Sequence, residues 1–101
     1  MPDAGALAAE RRSQIEHAFR EAFDPLHLDV LDEGHRHRGH AGAAGGGGHF
    51  RVTIVSQAFA GHSRVERHRM LYAALGDAVG TDIHALALHA WTPEEYRERE
   101  R

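Results

Sequence analysis

Apolar positions fall at helical spacing in two stretches of the chain and alternate in three others. Ile15, Ala18, Phe19, Ala22 and Phe23 recur at i, i+3 and i+4, which predicts an apolar stripe on a first helix over about residues 5–23. Asp24-Pro25 ends it, because proline disfavours helical backbone in the residue before it. Leu26, Leu28 and Val30 then alternate with His27, Asp29 and Leu31, the period of a half-buried strand. Phe50, Val52 and Ile54 mark one face of a second strand. Leu71, Ala74, Leu75, Ala78 and Val79 return to helical spacing, with Gly80 expected at the end of that helix. A third strand is expected over about residues 82–90, between Gly80 and Thr92-Pro93.

Two helix starts carry their own signature. Ser63 with Glu66, and Thr92 with Glu95, have the spacing of a capping box, and Pro93 suits the first position of the second of these helices. The order is therefore α-β-β-α-β-α, an α+β domain. A strand–helix–strand unit favours a parallel pair, and the first two strands should form an antiparallel hairpin, giving a three-stranded mixed sheet packed by helices. Between those two strands lies GHRHRGHAGAAGGGG, residues 34–48, in which seven of fifteen residues are glycine. Glycine at that density disfavours helix and strand alike, so a long mobile loop is expected, with Gly45 to Gly48 poorly ordered.

At 101 residues the chain has room for one modest core, hence a single domain. Its net charge of −3 excludes a nucleic-acid polycation. The absence of cysteine excludes disulfides, a thiolate nucleophile and a thiolate metal ligand from this chain. The N-terminus does not read as a secretory signal and no stretch approaches a membrane-spanning length, so a soluble protein of a bacterial cytoplasm is expected. Ten histidines are the compositional oddity, each a candidate metal ligand or charge switch near neutral pH.

The histidines separate into classes. His35, His37 and His40 crowd the glycine-rich loop, a metal-binding pattern by composition, although closing a floppy loop around metal costs entropy. His84 falls in the third strand, on a face shared with Leu86 and Leu88. It reads either as a satisfied core histidine or as a ligand held ready on an ordered strand. Arg67, His68 and Arg69 set positive charge near the start of the second helix, where the helix dipole disfavours cations. Phosphates of nucleic acid would explain that placement, and so would Glu66 or Asp32 as internal partners. No nucleophile elbow, phosphate loop or paired-carboxylate motif is present, so nothing argues for an enzyme.

Five segments, in order and at similar gaps, resemble the BolA family over about residues 13–96. They are LDVLDEG at Leu28–Gly34, HFRVTIVS at His49–Ser56, FAGHSRVERHR at Phe59–Arg69, IHALALHA at Ile83–Ala90 and TPEE at Thr92–Glu95. The resemblance implies a fold like a type II KH domain, in agreement with the element order, although the GxxG loop with which KH domains clamp nucleotides is not apparent. It also implies a monothiol glutaredoxin as partner, as a heterodimer, with a bridging [2Fe–2S] cluster shared between the two chains, in iron–sulfur trafficking or iron homeostasis. Glutaredoxin and its glutathione would supply thiolates. This chain would supply His84 and a loop histidine, His37 by position, with His35 and His40 as alternatives. Imidazole in place of thiolate lowers the negative charge at a cluster and raises its reduction potential. Alone, the chain is expected to hold no cluster and to be a monomer or weak homodimer. The family's other behaviour, transcriptional regulation by DNA binding, would use Arg67, His68 and Arg69, and the net acidity argues for weak binding at most.

Overall fold

The fold follows from where the apolar stripes meet. A computed structural model describes residues 4–33, 48–76 and 83–99. Helix α1 spans Ala4–Phe23, strand β1 His27–Asp32, strand β2 Gly48–Val55, helix α2 Arg64–Leu75, strand β3 Ile83–Trp91 and helix α3 Pro93–Arg99. A single 3-10 turn, Gln57–Phe59, links β2 to α2. The sheet runs in the order β1-β2-β3, antiparallel between β1 and β2 and parallel between β2 and β3.

Alternation puts Val30, Phe50, Val52, Ile54 and Leu88 on one face, where all are buried. Register makes them one surface, since Val30 pairs with Val52 and Val52 with Leu88. Ile15, Phe19 and Phe23 from α1, Leu71 from α2 and Phe59 from the turn complete the core. Each fully buried side chain of this size contributes roughly 1.5–3 kcal/mol. Phe23 meets Phe59 at a centroid distance of 5.1 Å, and the buried Ser56 hydroxyl donates to the Phe23 carbonyl at 2.6 Å. Those contacts fix the exit of α1, which leaves through Asp24 at φ +44° before Pro25.

Helix α3 joins the molecule differently. It has no buried residue, and it lies against the sheet through Tyr96 stacked on His27 at 5.5 Å and Arg99 over the Trp91 ring at 4.9 Å.

Two local expectations are corrected. β1 begins at His27 rather than Leu26. The Leu26 side chain is 75% exposed, although its amide donates to the Val55 carbonyl at 2.8 Å, so the alternating pattern ran one residue past the buried face. Helix α2 ends at Leu75 with Gly76 as its C-cap, at φ +61°, and not at Gly80. A glycine needs no Cβ accommodation at that angle, whereas Ala78 and Val79 merely prolonged the apolar spacing. Ala78, Val79 and Gly80 lie outside the described residues, as do residues 34–47 of the glycine-rich loop. Gly48 belongs to β2. Among the described residues no helix is long and apolar enough to cross a membrane.

Candidate functional site

Two groups of candidate residues sit at opposite ends of β3. At the Trp91 end the basic cluster divides. The Ser63 hydroxyl accepts from the Glu66 amide at 3.2 Å and a Glu66 oxygen accepts from the Ser63 amide at 2.7 Å, the reciprocal box its spacing predicts. That start sets the phase of α2 so that Arg67 faces inward and is buried, while Arg64, His68 and Arg69 remain exposed.

All three guanidinium nitrogens of Arg67 are engaged. Its Nε donates to the His62 carbonyl at 2.9 Å and its Nη1 to the Ala90 carbonyl at 3.1 Å. Its two terminal nitrogens grip the Glu95 carboxylate at 2.6 and 3.1 Å, a bidentate pair. Glu95 thus serves twice, because it also accepts from the Thr92 amide at 2.8 Å as the second capping box. The Arg67 guanidinium, helped by the Thr92 amide, pulls the Glu95 carboxyl down to about 2. The internal partner of Arg67 is therefore Glu95, not Glu66 or Asp32. Glu66 is held below the ordinary carboxylate range chiefly by the Ser63 amide, with His62 Nδ1 at 3.6 Å. Of the three residues expected to meet phosphate, only His68 and Arg69 keep their side chains at the surface.

A groove of about 520 Å³ opens between this helix start and β3, with His62, Arg64, His68, Leu88, His89 and Trp91 in its walls. Sequence reasoning passed over His62, Arg64 and His89. The exposed alternate position of His89 on β3 was the available signal.

At the other end, His84 occupies an irregularity in the ladder. Gly48 pairs with Ile83 and His49 with Ala85, so His84 is an extra residue with no counterpart of its own on β2. Its backbone is described and its side chain is not. The loop leaves β1 after Glu33, whose amide donates to the His49 carbonyl at 2.8 Å, and rejoins the sheet at Gly48. His35, His37 and His40 lie outside the described residues, but both ends of the segment that carries them flank the strand end paired with Ile83. Among the described residues no three His, Asp or Glu side chains converge as a metal site.

Comparison with known proteins agrees with this architecture. The family model described as BolA-like protein matches residues 19–95. The DNA-binding transcriptional regulator BolA of Escherichia coli is 44% identical over 85 residues, covering 84% of this chain and 78% of that protein. Human BolA-like protein 1 is 40% identical over 94 residues, 93% of this chain, which spans 64% of the human protein's length. Among solved structures, the BolA domain of SufE1 from Arabidopsis thaliana superposes with a TM-score of 0.73 at 40% identity, covering 84% of this chain and 94% of that one. From the match over most of its length, in sequence and in fold, this chain belongs to the BolA-like family.

Proposed function

We propose that this chain is a non-enzymatic BolA-like adaptor of the cytoplasm that binds a monothiol glutaredoxin and shares a bridging [2Fe–2S] cluster with it, in iron–sulfur trafficking or iron homeostasis. The observation that carries the reading is the register at the start of β3. His84 stands at a bulge on the strand end that borders Gly48, where the histidine-bearing segment rejoins the sheet. A bulge at a sheet end is a common means of re-aiming a side chain.

The donor set suits a shared cluster better than a private one. Without cysteine the chain offers imidazole nitrogens, which can serve one iron of a [2Fe–2S] centre as two histidines do in Rieske proteins. Thiolates for the remaining positions would come from the glutaredoxin and its glutathione. His84 is the fixed ligand in this reading and His37 its loop partner, with His35 and His40 as substitutes. Reconstitution tests it. With iron, sulfide, glutathione and a monothiol glutaredoxin, the chain should form a coloured heterodimer, whereas the chain alone should not. An equally stable cluster on the isolated chain would defeat the adaptor model.

A second reading draws on the name of the Escherichia coli relative, a DNA-binding transcriptional regulator. Because Arg67 is occupied by Glu95, phosphate contacts would fall to the exposed Arg64 and Arg69. Replacing both with alanine should then flatten the salt dependence of binding by about 0.9 log unit per lost contact. Sequence-specific nanomolar affinity at physiological salt would put this reading first.

A further inference from the structure

β3 is the outermost strand on its side of the sheet. Along a parallel ladder, successive residues turn their backbone groups alternately to the neighbouring strand and away from it. The Trp91 carbonyl accepts from the Ser56 amide at 2.9 Å, which turns Trp91 inward, and the alternation turns His89 and Ala87 inward with it. Leu86, Leu88 and Ala90 therefore direct their amides and carbonyls outward. Arg67 takes the Ala90 carbonyl. Among the described residues, no hydrogen bond reaches the outward groups of Leu86 or Leu88.

An open edge of this kind is a template for a further strand. The opposite edge is guarded by Asp29 and Asp32 in β1, but β3 carries no Asp, Glu or Arg from Ile83 to Trp91. Leu88 and Ala90 of this edge form one wall of the 520 Å³ groove. His89 of the same strand and Arg64 and His68 of α2 also line it and make no ion pair among the described residues, and its carboxylate, Glu95, is held by Arg67. The groove thus combines unpaired backbone with donors and no available carboxylate.

We infer that an extended, acidic peptide segment of a partner protein pairs with the outer edge of β3 and lies in this groove, its carboxylates meeting Arg64, His68 and His89. Main-chain bonds to Leu86 and Leu88 supply the register, and the donors select for acidic side chains. Single-stranded nucleic acid fits less well. It gains much of its affinity from open aromatic faces for stacking, and the aromatic residue here, Trp91, already carries the Arg99 guanidinium over its ring at 4.9 Å. The groove is at the far end of β3 from His84, so it gives the molecule a second docking surface that stands independently of the cluster.

The test uses the full chain and two fluorescein-labelled probes, a short peptide alternating Glu and Val and an oligothymidylate, compared by anisotropy at matched salt. The peptide should bind more tightly than the oligothymidylate and than its Gln-for-Glu counterpart. In amide-exchange NMR it should protect the Leu86 and Leu88 amides. Arg64→Ala combined with His68→Ala should weaken the peptide roughly fivefold, and Arg20→Ala, an exposed change on α1, should leave it unchanged. Tighter binding of the oligothymidylate, binding without protection of those two amides, or no peptide binding would each overturn the proposal.

Discussion

At its Trp91 end, β3 hands the chain to a capped helix and receives a buried arginine from α2, whereas at its His84 end it meets β2 through a bulge beside a histidine-rich segment. At the first end the buried arginine is satisfied within this chain. Arg67 ties together α2, β3 and α3, and every donor direction of its guanidinium that reaches a partner reaches one supplied by the same molecule. The second end offers imidazoles and no thiolate, which on the proposed reading is half of a coordination sphere. The difference teaches that positive charge in a signature segment is not in itself a binding surface. Arg67 and Arg69 stand two residues apart, yet one is a structural tie and the other is exposed.

Breaking the arginine tie at the first end should have the largest effect. Arg67→Ala removes a bidentate pair and two bonds to backbone carbonyls, and should destabilise the fold by roughly 2–4 kcal/mol in thermal or urea unfolding. Arg69→Ala should stay within about 0.5 kcal/mol. Equal effects of the two would erase the distinction drawn above.

Glu95→Gln sharpens the comparison through pH. The Glu95 carboxyl lies near 2 in the folded protein, against an ordinary value of 4.5. A depressed folded value means stability that is fully present above the ordinary value and is lost as pH falls toward the folded one. Wild type should therefore exceed Glu95→Gln at neutral pH, and the two unfolding midpoints should converge between about pH 4.5 and 2. With the Glu95 side chain 44% exposed, solvent screening limits the neutral-pH gap to about 1 kcal/mol. A gap that is constant down to pH 2 would show that the carboxylate is not the source.

Smaller than the Arg67 effect, and comparable to the Glu95 gap only at its upper end, is the loss of the first cap. Ser63→Ala deletes the hydroxyl that receives the Glu66 amide and should cost about 0.5–1 kcal/mol. It should leave the acid profile of Glu95 in place, because the second cap and the arginine pair do not involve Ser63.

Features set by neighbours in sequence are legible in the sequence itself. Both capping boxes form as their spacing predicts, and Phe50, Val52 and Ile54 share the buried face as their alternation requires. Features that depend on distant residues are not. Arg67 and Glu95 are 28 positions apart, and nothing local distinguishes Arg67 from its exposed neighbours. The apolar spacing carries α2 too far because Ala78 and Val79 continue it, while the requirement for φ +61° at Gly76 is a property of the backbone path. The spacing predicts His84 as a strand residue, but the bulge that singles it out arises from pairing with β2, which spacing alone does not encode.

The central claim is that the His84 end is where this chain meets a shared cluster, and visible circular dichroism of the complex reconstituted with a monothiol glutaredoxin and glutathione tests it most directly. His84→Ala, shown to be folded by far-ultraviolet circular dichroism, should lose the cluster signal or hold it only weakly. His37→Ala should be milder, since His35 and His40 are close by in sequence. A folded His84→Ala protein whose complex gives an unchanged cluster spectrum would contradict the account and leave His84 a residue of the strand alone.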